Sequence, residues 1–277
     1  MAKGIGLIGN FKGKVGNTVG YKLTASNNGQ TQGIRVYQPI VKNPKSAGQA
    51  EQRAKLLAVN ATYRALKMVI DRGNEGLPYG NKSRLAWLKG ALKAQYMPWF
   101  EKGSVVTAPV ICQLSKGSLS SLQYTDNMEG IKVFCEGVTA ETTLDTIGKV
   151  STAMLAAYPH LKEGDQVTFV SASVNEGAIK TDVMSFIIQS DSKVATSKFT
   201  ADASAFIYGA TVTEGAIAVI ISREGTNGEH LRSTEYLKIT ANVHTAAPYD
   251  EASKTAAIES YQSSDASNSD WAEESIQ

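Results

Sequence analysis

Cysteine is nearly absent: Cys112 and Cys135 are the only two among 277 residues. That is too few for a disulfide framework. Both stand in apolar stretches, where a buried, inert thiol is expected and a disulfide is the alternative. Histidine is limited to His160, His230 and His244, and no Cys-x-x-Cys or His-x-x-x-His spacing occurs. No metal ligand set is therefore expected. No apolar run reaches the roughly 18 residues of a membrane span. The opening Met-Ala-Lys-Gly-Ile-Gly lacks the apolar core of about 7–15 residues that marks a secretory signal, so none is expected. No Gly-x-Ser-x-Gly elbow occurs either.

Acids are missing from one part of the chain. Residues 1–95 hold 16 Lys+Arg against three acids, Glu51, Asp71 and Glu75, a net +13. Residues 96–277 hold 12 bases against 23 acids, a net −11, which restores the overall +2. Such polarity points to a basic part that attracts polyanions or an acidic protein surface, including that of a neighbouring copy.

Two phosphate-binding patterns fail on context. Gly4-Ile5-Gly6-Leu7-Ile8-Gly9 has the spacing of a dinucleotide loop, but only three residues precede it and glycine-rich chain follows. Gly13-Lys14 has Ile8 where a phosphate loop needs glycine and Val15 where it needs Ser or Thr. The carboxylate pairs Glu163/Asp165 and Asp250/Glu251 fall in expected loops or the tail, where solvation is the default. His160, after Pro159, reads as an exposed turn residue. No group stands beside a partner for acid–base work. The expectation is a protein that is not an enzyme, with no catalytic residue, no cofactor and no metal.

Residues 1–20 contain six glycines, too many for an ordinary helix, and read as an extended arm. Residues 18–41 read as a β-hairpin: Val19, Tyr21 and Leu23 alternate, Asn27-Asn28-Gly29 makes the turn, and Gly33–Gln38 returns. Ser46 with Gln49 fits a capping box. Leu56, Val59, Tyr63, Leu66 and Ile70 form one helical stripe, with Arg53, Arg64 and Lys67 beside it and Gly73 as the stop. A second helix is expected from Ser83 to about Tyr96, with Leu85, Leu88 and Leu92 as its stripe. The pair forms an αα-hairpin across the 73–82 loop. From 104 onward, strands are expected near 105–113, 117–124, 130–136, 150–157, 166–174, 182–190, 203–211, 216–223 and 230–240. Val105, Val106, Phe134, Phe169, Phe186, Ile187, Ile188, Phe206 and Val219–Ile221 should fill their core. This spacing argues for an antiparallel sandwich. Residues 246–277 carry one base and seven acids and read as a disordered or loosely helical tail.

The fold class is thus α+β: an N-terminal extended arm, a β-hairpin and two helices, followed by an antiparallel β-sandwich, Ig-like or jelly-roll-like. The segments are a Gly-rich basic arm and hairpin (1–42), a basic helical segment (43–103), the sandwich (104–245) and an acidic tail (246–277). The polyanion or subunit contacts expected are Lys12, Lys14, Lys22, Arg35, Arg53, Arg64 and Lys67. Aromatic–basic neighbours such as Phe11-Lys12, Tyr21-Lys22 and Arg35-Val36-Tyr37 suit base stacking and a subunit interface equally.

Gly9-Asn10-Phe11-Lys12-Gly13-Lys14-Val15-Gly16-Asn17, Val19-Gly20-Tyr21-Lys22, Arg35–Pro39, Asn43-Pro44-Lys45 and Gln52-Arg53-Ala54-Lys55 together resemble a family of uncharacterised proteins spread through Bacteroidota genomes and their phages. The resemblance covers residues 4–70 well and 104–240 more weakly, where Leu114–Leu119 carries it. The polar stretch Ser26–Gln32 lengthens the hairpin, and the acidic tail departs from the family pattern. No activity comes with the resemblance. It implies a phage or prophage setting, and hence a virion structural protein: a capsid, decoration or tail-region subunit. Its partners would be copies of itself, other virion proteins and packaged nucleic acid, with no membrane span, and assembly would take place in the host cytoplasm. The alternatives are a soluble nucleic-acid-binding protein using residues 1–95 and, by fold analogy, an adhesion or carbohydrate-binding module.

Overall fold

A computed structural model describes the backbone of residues 13–15, 18–22 and 32–36, and residues 46–127, 130–174, 177–209, 215–226, 228–240 and 248–263. The chain divides into two units, Met1–Pro44 and Lys45–Gln277. In the first unit, β1 (Gly13–Val15), β2 (Thr18–Lys22) and β3 (Gln32–Val36) make an antiparallel sheet in that order. β2 and β3 are the two arms of the expected hairpin, paired from Thr18↔Val36 to Lys22↔Gln32. β1 adds a strand within the segment read as an extended arm. The turn at Asn27–Gly29 lies outside the described residues.

The second unit is α+β with antiparallel sheets. Its helices are α1 (Ala47–Ala65), α2 (Lys67–Ile70), α3 (Asn81–Ala91), α4 (Ile147–Ala157) and α5 (Glu251–Ser263). A four-stranded sheet runs β5 (Tyr124–Asn127), β6 (Gly130–Phe134), β10 (Ala205–Tyr208) and β9 (Phe199–Asp202). A five-stranded sheet runs β12 (His230–Arg232), β11 (Gly215–Glu224), β7 (Gln166–Ser173) and β8 (Lys180–Ile187), with β14 (Lys238–Ile239) also on β11. β4 (Gln113–Ser115) pairs with β13 (Glu235–Tyr236).

β7 and β11 are buried on both faces, and their side chains sort by parity. Val167 and Phe169 with Ile217, Val219 and Ile221 enter a core shared with the four-stranded sheet and α4. Val170 and Ala172 with Ala216, Ala218 and Ile220 enter a second core under α1, α2, α3 and α5. Phe169 centres the first core, with its ring 4.8 Å from Tyr208 and 5.7 Å from Phe199. Cys135 lies in the first core and Cys112 in the second, so the sheet separates them and both are free thiols. Burial pushes each thiol up to about 12, which leaves it unreactive.

Several expectations are corrected. Residues 150–157 form no strand: they belong to α4, because Ile147, Val150, Ser151 and Met154 are buried at helical spacing. Thr146 caps that helix, its hydroxyl accepting from the Lys149 N–H at 3.4 Å. No capping box forms at Ser46, where only the backbone carbonyl accepts, from Gln49 and Ala50. Of the expected stripe Val59, Leu66 and Ile70 are buried and Tyr63 packs on them, but Leu56 is 40 % exposed, and Ala50, Ala54, Ala58 and Thr62 complete the buried face of α1. Small residues let α5 approach closely, with Ala257 fully buried in the same core. α5 falls in the segment read as a loose tail; Tyr249 beside it donates its hydroxyl to the Pro109 carbonyl at 2.6 Å. α3 ends at Ala91, well before Tyr96, and turns Ser83, Trp87 and Ala91 inward instead of Leu85. Val105, Phe134 and Ile187 are exposed, not core. Phe134 follows the outward parity of β6, where Lys132 pairs with Asp202 at 2.6 Å. Asp165 is buried, not solvated: Arg223 holds it through two hydrogen bonds of 2.6 and 2.7 Å. His160 is half-buried against the Tyr158 ring, 5.8 Å away.

Candidate functional site

The helix-facing side of the five-stranded sheet changes character along its length. Under the helices it carries Val170, Ala172, Ala216, Ala218 and Ile220. Beyond Ile220 the same parity carries Gln166 and Thr168 on β7, Ser185 on β8 and Ser222 on β11. The register sets them in rows, Gln166 opposite Ser222 and Ser222 opposite Arg232, with Thr168 opposite both Ile220 and Ser185. α2 stops at Ile70, and Gln166, Thr168 and Ser185, together with Ile220 and Val183, floor an open groove of about 230 Å³. Met68 and Arg72 form one wall and Arg232 the other. Thr168 and Ser185 share a hydrogen bond of 2.9 Å across the floor.

The walls are held by backbone. Gly73 admits the close approach of β4, since a Cβ there would run into the Leu114 carbonyl. The Leu119 N–H donates to the Arg232 carbonyl at 2.8 Å, and Gly117 leaves no room for a side chain against that carbonyl. The Arg72 and Arg232 guanidinium carbons lie 5.6 and 5.9 Å from the centre of the Tyr79 ring. The His230 ring lies against the same tyrosine, tilted by 37° with centroids 5.1 Å apart. Tyr79 is 46 % exposed, and the buried Arg232 Nε has no hydrogen-bond partner among the described residues. The Glu75 carboxylate accepts from the Ser118 N–H and hydroxyl and the Arg232 N–H. Burial alone would push Glu75 up, but these donors outweigh it and hold its carboxyl below the usual range.

The residues expected from sequence distribute unevenly. Lys12 lies outside the described residues. Lys14, Lys22 and Arg35 sit on β1, β2 and β3, with Lys14 and Arg35 both registered against Val19. Arg53 is half-buried on the first half of α1, about 16 Å along the helix axis from Arg64. Arg64 and Lys67 stand exposed on either side of the helix break at Leu66. Among the described residues, none of Arg53, Arg64 and Lys67 pairs with an acid. Arg64 also lines a shallow groove of about 600 Å³ with Val105 and Ile179. Arg72, Tyr79, His230 and Arg232 were not singled out from the sequence. The one local signal is the pair of polar residues Gln166 and Thr168 that alternate at the start of an otherwise apolar strand, and it does not point to the two arginines.

A larger cavity, about 810 Å³, lies along α4, with Thr152 and Ala153 facing the loops around 136–144 and 190–193. Glu136 and Asp191 are balanced there by Lys149 and Lys193, so it selects no charge. No helix among the described residues is long and apolar enough to cross a membrane. In comparison with known proteins, no family model, no curated protein and no solved structure matches the chain.

Proposed function

We propose that the chain is a phage virion structural subunit, of capsid, decoration or tail region, that assembles with its own copies through its basic first unit. One observation carries this reading. Met1–Pro44 is a unit of its own, and it holds six bases and no acid, while residues 45–277 hold 22 bases and 26 acids. A short, glycine-rich sheet of three strands is marginally stable alone and gains stability from a partner. Its charge selects an acidic partner, and the net negative remainder of a second copy is one. The two antiparallel sheets that share a core support reading the second unit as a β-sandwich, Ig-like or jelly-roll-like, an architecture suited to shells. The phage setting rests on the resemblance over residues 4–70. Other virion proteins and packaged nucleic acid are the further partners, and the host cytoplasm is the place of assembly. Deleting residues 2–44 should abolish assembly and leave the second unit folded. A truncated chain that assembles like the parent overturns the reading.

A soluble nucleic-acid-binding protein is the second reading. Arg64 and Lys67, exposed and without acid partners among the described residues, favour it. It requires binding that falls steeply between about 50 and 200 mM salt.

A further inference from the structure

We propose that the groove between Arg72 and Arg232 is a binding site for a phosphate ester, with the exposed Tyr79 and His230 beside the two arginines. The inference is independent of the assembly reading and uses none of the residues of the first unit.

Four observations converge on it. Two guanidiniums flank one open groove, and planar forks of this kind match the oxygens of a phosphate better than point charges do. The floor between them mixes Gln166, Thr168 and Ser185 with Ile220 and Val183, where the part of that face under the helices is apolar. One hydroxyl of the Thr168–Ser185 pair and the Gln166 amide can donate to an anion there. A volume of about 230 Å³ holds roughly seven waters, room for a phosphate group and its shell. The Arg232 Nε is a buried donor with no partner among the described residues, and such groups are costly unless something accepts from them.

The Glu75 carboxylate offsets part of the Arg232 charge, while Arg72 pairs with no acid among the described residues. Glu75 is engaged by Ser118 and the Arg232 N–H. Glu224 stands opposite His230 in the strand register. Neither lines the groove. Tyr79, almost half exposed, stands beside both arginines. A phosphate seated between the guanidiniums brings its ester beside these exposed rings, and phosphate contacts next to aromatic side chains are how single strands are held without reading sequence. The ester can come from a single-stranded nucleic acid, or the site can take free inorganic phosphate.

The test uses the full chain and a fluorescein-labelled oligothymidylate, read by anisotropy, with inorganic phosphate titrated separately by calorimetry. Arg72→Ala should weaken oligonucleotide binding about tenfold and lower the slope of its salt dependence by about one. Arg232→Gln should do the same, and Tyr79→Leu should weaken binding while leaving the slope unchanged. The double variant Lys89→Ala/Lys93→Ala, which removes two exposed charges from α3 and the turn after it, should change binding less than about twofold. Arg72 and Tyr79 are exposed, so their variants carry the test if Arg232→Gln lowers stability. Phosphate binding that Arg72→Ala abolishes, without oligonucleotide binding, supports the site with the free anion as its ligand. Equal losses in the Arg72 and Lys89/Lys93 variants overturn it, because the attraction is then diffuse. Binding of neither ligand at millimolar concentration overturns it as well.

Discussion

The Tyr124 hydroxyl donates to the Glu235 carboxylate at 3.0 Å, joining β5 to β13 across 111 positions of sequence. Lys238 caps the arrangement, its ammonium 3.6 Å from the centre of the Tyr124 ring. Glu235 is 4 % exposed, and its Oε1 has no hydrogen-bond partner among the described residues. Burial pushes its carboxyl above the ordinary glutamate value, more than its hydroxyl partners and Lys238 pull it back.

That shift fixes a pH dependence. A carboxyl raised in the folded protein keeps its proton where the unfolded chain has released it. Its stabilising contribution is complete below the ordinary glutamate value and is lost as pH rises through the folded value. Glu235→Gln should therefore be more stable than the parent by about 1 kcal/mol at pH 8 and close to it at pH 4. Thermal unfolding across that range decides it. A variant less stable at every pH would show that the ionised carboxylate is the better partner for Tyr124.

Two glycines on helices should respond oppositely to alanine. Gly90 on α3 faces open space, so Gly90→Ala should stabilise by about 0.5–1 kcal/mol through helix propensity. Gly148 on α4 packs against the 190–192 loop: its N–H donates to the Ser192 carbonyl, and a Cβ would lie 2.5 Å from that oxygen. Gly148→Ala should lose about 1–3 kcal/mol by overpacking, more than propensity returns. Denaturant midpoints measure both, and a stabilising Gly148→Ala would contradict the packing of α4 on that loop.

Arg223 should be costly to remove. Its Nε and one terminal nitrogen hold Asp165, and that nitrogen also donates to the His160 carbonyl at 2.8 Å. Asp165 also accepts from the Lys162 N–H at 2.8 Å. Arg223→Met leaves that buried carboxylate without its cation, so a loss of about 3 kcal/mol is expected at pH 7. Arg223→Met combined with Asp165→Asn should recover part of it. A single variant within about 0.5 kcal/mol of the parent would show that the pair is not desolvated.

The C-terminal helix sets a further prediction. The Trp99 N–H donates to the Pro248 carbonyl at 2.9 Å, and Ala257 is buried beside Ala54 and Ala58. Ending the chain at residue 245 should lower the unfolding temperature by several degrees and expose apolar surface to a dye such as ANS. Ending it at Ser263 should leave stability unchanged. Equal stability of both truncations with the parent would show that α5 contributes nothing to the second core.

The strands β7 and β11 were legible because apolar residues crowd both faces of a doubly buried strand. α4 was not: Val150-Ser151-Thr152-Ala153 has the composition of a strand, and only the partners of Ile147 and Met154 select the helical period. Leu56 and Leu85 misled because a helix packed closely on another helix or a sheet prefers alanine at the contact, leaving leucine outside. Asp165 could not be read, since Arg223 reaches it from 58 positions away. The groove was illegible for the same reason: Arg72 and Arg232 are 160 positions apart, and only β-sheet register brings Arg232 level with Ser222 and, one strand further, Gln166.

The most direct test of assembly through the first unit is the solution mass of nuclease-treated full-length protein, by light scattering at about 0.15 and 1 M salt, beside a chain that begins at Lys45. The full chain should form a uniform multi-subunit particle at both salt concentrations, and the shorter chain should be a monomer with the same unfolding transition. A full chain that falls to monomer once nucleic acid is digested, or a shorter chain that assembles equally well, would contradict it.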